Sequence, residues 1–98
     1  MRYIKNKFFI EGKNIESLAK KFNTPLYCYS YKNLKENVEN FKKAFKEIRP
    51  LICFSVKSNS NISLLKEIKK LGLGADVVSK GELYASLKAG IDKNKIVF

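Results

Sequence analysis

The chain has 98 residues and a net charge of +11, from 20 Lys+Arg against 9 Asp+Glu, with no His. Its 45% hydrophobic content, with only two prolines and five glycines, fits one folded domain or a piece of one and excludes a disordered chain. No apolar run nears the roughly 20 residues that cross a bilayer, MRYIKNKFF lacks the features of a signal peptide, and two distant cysteines without His leave no ordinary zinc site.

In chain order, residues 8–10 (FFI) read as a short strand closed by Glu11-Gly12. Asn14 can cap a short helix whose Ile15, Leu18, Ala19 and Phe22 recur at i, i+3, i+4 and i+7. Thr24-Pro25 breaks that helix, and LYCYS at 26–30 reads as an aromatic-rich strand. Ser30 caps a longer helix over about 31–48, with Leu34, Val38, Phe41, Phe45 and Ile48 forming one apolar stripe. Pro50 ends it, and LICFSVK at 51–57 is a buried-strand candidate. A second amphipathic helix over about 61–71 follows, with Ile62, Leu65, Ile68 and Leu71 on one face. Gly72 and Gly74 turn the chain into ADVVS, a third strand; a helix over about 80–89 ends at Gly90, and KIVF at 95–98 begins another strand.

Strand and helix alternating through short loops predict an α/β fold with a parallel sheet and crossover helices, doubly wound or a (β/α)8 barrel. A whole barrel takes about 250 residues, so the chain reads as a fragment. The positive charge is spread over both halves without a dense run, and a solvated basic surface is expected rather than a nucleic-acid site. Both cysteines lie in apolar runs, which fits reduced core thiols in a cytoplasmic protein.

Alternation along LICFSVK puts Ile52, Phe54 and Val56 on one face and Cys53, Ser55 and Lys57 on the other. The second face is small and polar and ends on an amine at the strand's carboxyl end, where parallel sheets carry their sites. An amine buried there, its pKa lowered, can form a Schiff base; a first solvated residue after the strand explains Lys57 as well. Ser58-Asn59-Ser60-Asn61 offer donors at a strand-to-helix turn, although Ser60 or Asn61 also suits as a helix cap. In GADVVSKGEL (74–83), Asp76 and Val78 share a face, and an acid inside a short apolar strand calls for a partner or a task. Ser79-Lys80-Gly81-Glu82 fits a capping box, so Glu82 is equally a cap and a site contact.

TPLYCYS, CFSVKSNSN, LGLGADVVSKGEL and AGIDKNKIVF, in that order, resemble the amino-terminal part of the fold-type III pyridoxal-phosphate decarboxylases, over about residues 24–98. The wording VVSKGEL is similar to the diaminopimelate decarboxylases more than to ornithine, arginine or carboxynorspermidine decarboxylases of the same fold. The resemblance implies a partial (β/α)8 barrel, with residues 1–23 as leading strand and helix and 24–98 as the start of the cofactor-binding barrel. It implies pyridoxal 5′-phosphate as cofactor, Lys57 as its Schiff-base lysine, and Asp76, Asn59, Ser79 and Glu82 lining or supporting the pocket. The implied reaction is decarboxylation of meso-2,6-diaminopimelate to L-lysine, with an amino acid as the small-molecule partner and neither nucleic acid nor membrane. Family members are homodimers whose carboxyl-terminal domain completes the partner's site. That domain, the ring-stacking His and the Gly-rich phosphate loop lie beyond residue 98, so these residues alone are expected to be an inactive fragment or relic.

Overall fold

A computed structural model describes all of residues 1–98, which divide into two compact units, Met1–Asn37 and Val38–Phe98. The first opens with an antiparallel meander of β1 (Arg2–Ile4), β2 (Lys7–Ile10) and β3 (Lys13–Asn14). Lys5-Asn6 and Glu11-Gly12 make its turns, all four residues at positive φ, as the twist-matched two-residue hairpin turn demands. Only the second of these turns is visible in the sequence, because Lys5 carries no turn preference. Helix α1 (Ile15–Phe22) follows directly, its first turn capped by Asn14 Oδ1, which accepts from the N–H groups of Glu16 and Ser17.

Residues 26–30, expected as a strand, form no ladder. Their alternation is real, but a strand also needs a neighbour to satisfy its backbone. Helix α2 (Tyr31–Ala44) is capped by Ser30, whose Oγ accepts from Asn33 N–H. Its last expected turn tightens into i to i+3 bonds at Lys46 and Ile48 before Pro50, which disfavours helical backbone at Arg49.

The second unit is a parallel sheet of β4 (Cys53–Ser55), β5 (Gly74–Asp76) and β6 (Ile96–Val97), in that order. α3 (Ile62–Lys70) and α4 (Lys80–Lys88) are the crossovers, each joining two neighbouring strands. Leu65, Ile68, Val56, Ala75 and Val77 are fully buried and form its core; each large aliphatic side chain removed from water contributes about 1.5–3 kcal/mol. Both helices stop in the same way. Gly72 and Gly90, at φ +79 and +85, donate to Lys69 and Leu87, while Leu73 and Ile91 donate to Ile68 and Ser86. These paired bonds satisfy the last carbonyls and need a residue that tolerates positive φ. Each βα repeat thus closes on its own glycine, and the expected α/β class with a few parallel βα units is what the chain adopts.

Candidate functional site

The expected inner face of the first parallel strand stops early. β4 ends at Ser55, and residues 56–58 wind into a 3-10 turn, so strand alternation does not extend to Lys57. Of the two readings of Lys57, a buried amine or the first solvated residue after the strand, the second describes its position: its side chain is exposed, and no carboxylate of this chain pairs with it. The turn itself is firmly built. Ser58 Oγ donates to the Ser55 carbonyl at 2.7 Å, and Asn59 N–H donates to the Val56 carbonyl at 3.0 Å. Asn59 Oδ1 accepts from Asn61 N–H, and Asn61 Oδ1 caps α3 through Ser63 and Leu64. Asn61 rather than Ser60 is therefore the cap, and the side-chain amide of Asn59 keeps its donors for another acceptor.

Register aligns the neighbouring strand. Ser55 pairs with Asp76 and Cys53 with Gly74, so these residues share one face, and Phe54 and Ala75 share the other. Asp76 is half-buried at the carboxyl end of β5, between fully buried Ala75 and Val77 of the opposite face. Burial pushes the Cys53 thiol above its ordinary pKa, and the negative charge of Asp76 adds to that shift.

Beyond β5, Ser79 begins α4. Its Oγ accepts from Glu82 N–H at 3.2 Å, while Glu82 Oε2 accepts from Val78 N–H at 2.8 Å. The expected capping box is present, with its return bond shifted one residue towards the strand. Glu82 is thereby fixed at the start of a helix that packs against the 3-10 turn carrying Lys57. The structure thus brings Lys57, Asn59, Asp76, Ser79 and Glu82 to one end of the parallel sheet, without a direct hydrogen bond or ion pair between Lys57 and the two acids.

This donor set suits a carbonyl-bearing, negatively charged ligand. An exposed primary amine free of ion pairs can be reached by an aldehyde, the partner with which a lysine forms a Schiff base. Amide and hydroxyl groups sit beside it, and a carboxylate on the adjoining strand stabilises a positive charge nearby. No helix is long and apolar enough to cross a membrane.

Three parallel strands joined by crossover helices place this unit in the α/β class, with the amine at the strand ends where such folds carry their sites. Residues 31–98 match the family described as pyridoxal-dependent decarboxylase, pyridoxal binding domain, and the chain belongs to that family, with pyridoxal phosphate as its cofactor. The chain is 47% identical over 98 residues to a diaminopimelate decarboxylase of Aquifex aeolicus, covering 100% of itself and 23% of that relative. Among solved structures, it matches a diaminopimelate decarboxylase from M. jannaschii with TM-score 0.93 and 37% identity, over 99% of this chain and 24% of that one. The Helicobacter pylori diaminopimelate decarboxylase complexed with L-lysine matches with TM-score 0.80 and 45% identity, over 87% of this chain and 22% of that one. The chain spans about a quarter of the length of the relatives it matches.

Proposed function

We propose that this chain provides the cofactor-anchoring part of a decarboxylase that converts meso-2,6-diaminopimelate into L-lysine. The observation that carries the reading is the exposed, unpaired Lys57 amine in a rigid turn at the end of β4, beside the strand end that bears Asp76. The names of the relatives, and the lysine bound in one of them, support the choice of substrate.

Lys57 holds the cofactor covalently through its amine. Asp76, fixed on the neighbouring strand, supplies negative charge to that end of the sheet and favours a protonated nitrogen close by. Asn59 donates from its side-chain amide, while Ser79 and Glu82 hold the α4 amino terminus, where backbone N–H groups favour an anion. When bound, pyridoxal phosphate supplies the electron sink that accepts the pair left behind as carbon dioxide departs.

The test is carbon dioxide release and lysine formation from meso-diaminopimelate by the intact protein supplied with pyridoxal phosphate. Turnover is expected, and Lys57→Ala is expected to lower it by roughly a thousandfold or more. Turnover of ornithine or arginine in its place would overturn the substrate assignment, and full activity of Lys57→Ala would overturn the role of Lys57.

A further inference from the structure

The parallel strands have a second end, and the cations gather there. Residues 50–52 lead into β4, Gly72 precedes β5 and Lys95 precedes β6; with the end of α2 and the turn after it they line an open cleft of about 580 Å³. That volume lies within the roughly 300–1,000 Å³ typical of small-molecule pockets. Four cationic side chains line it, Lys42, Lys46, Arg49 and Lys95, and no acidic one does.

Two of the ammonium groups are held in place. Lys42 Nζ donates to the Leu71 carbonyl, and Lys95 Nζ to the Gly72 carbonyl at 3.4 Å, so successive carbonyls at the end of α3 fix them on one wall. Each ammonium has three donors, so one such bond leaves two for another acceptor. Glu47 lies 3.9 Å from Lys46, but both side chains are largely in solvent, and such a pair neutralises little. Leu51 presents an exposed apolar surface beside these charges.

We propose that this cleft binds a small di- or triphosphate-bearing molecule, its phosphates among the four cations and its organic body against Leu51. A monophosphate would meet only some of the donors, whereas a polyphosphate reaches the two held ammonium groups and the neighbouring cations together. The site stands apart from the Lys57 end of the sheet and does not depend on the decarboxylase reading.

The competing explanation is that a chain of charge +11 attracts any polyanion. Calorimetric titration of the intact protein with inorganic tripolyphosphate and with ATP, at about 0.15 M salt, separates the two. One molecule is expected to bind per chain, with Lys95→Gln weakening it about tenfold. Lys46→Gln, whose loss disturbs no backbone contact, is expected to weaken it severalfold and guards against a folding defect in the first variant. Lys20→Gln and Lys21→Gln on α1 are expected to change nothing. Equal losses from the α1 controls, or stoichiometry well above one, would overturn the site. Tighter binding of ATP than of tripolyphosphate supports the place given to Leu51, and equal affinities would overturn it.

Discussion

Two titrating side chains report on contacts that no local sequence pattern carries. Cys53 faces the same way as Asp76, and burial together with that carboxylate raises its thiol pKa. The thiolate is the reactive form, so in a Cys28→Ala background the alkylation rate is expected to inflect above the ordinary ~8.5 of a cysteine. Asp76→Asn is expected to move that inflection down. An inflection at or below the ordinary value, or no response to Asp76→Asn, would separate the two residues. Glu11 shows the opposite shift: its carboxylate accepts from Lys32 N–H at 2.6 Å and from Ser30 Oγ at 2.7 Å, and both bonds hold its pKa down. A folded pKa below the unfolded one means that the anchoring of α2 is complete above the ordinary glutamate value of ~4.3 and is lost as pH falls through the lowered one. The Lys32 amide chemical shift is expected to titrate below ~4.3 and to stop titrating in Glu11→Gln. An inflection at the ordinary value would show that the carboxylate is free. The sequence marks Glu11 only as a turn residue, because its partners lie about twenty positions away.

At the scale of elements, the helices were legible and the strand ends were not. Period-3.6 stripes behind Asn14, Ser30 and the Ser60-Asn61 pair mark α1 to α3, and Ser79 and Gly90 bracket α4, so each helix is located to within a turn or so. Lys57 shows the limit. Val56-Lys57-Ser58 continues the alternation of β4 on paper, yet it folds as a 3-10 turn because Ser58 and Asn59 bond back to Ser55 and Val56. Local side-chain bonds of this kind compete with strand backbone and leave no periodic trace. Gly74 illustrates the reverse, a sequence feature that only the packed strands explain. A Cβ there would lie 2.1 Å from the Lys95 carbonyl and 3.0 Å from Cys53 Sγ. Gly74→Ala must therefore push β5 from its neighbours and is expected to cost about 1–3 kcal/mol in denaturant unfolding. A neutral result would mean that the approach of β5 to Lys95 is not the native one.

For the whole chain, the alternation of strands and helices was enough to give the class, because parallel strands require crossover helices and the first crossover showed an apolar stripe while Gly90 marked the end of the second. What it could not give was assembly across distance. The amino-terminal meander hides a turn at Lys5-Asn6, and the basic cleft is built from segments that precede three separate strands, so its charges are scattered along the sequence. The candidate site was more legible, since Lys57, Asp76, Ser79 and Glu82 fall in two short motifs at successive strand ends. Its exposed lysine, set in a turn rather than on a strand face, is what the fold added.

Anchoring through Lys57 is the central claim, and chemical trapping tests it most directly. The intact protein, incubated with pyridoxal phosphate, reduced with borohydride and mapped by mass spectrometry, is expected to carry one pyridoxyl group, on Lys57. A label spread across the surface lysines, or one retained in full by Lys57→Ala, would contradict it.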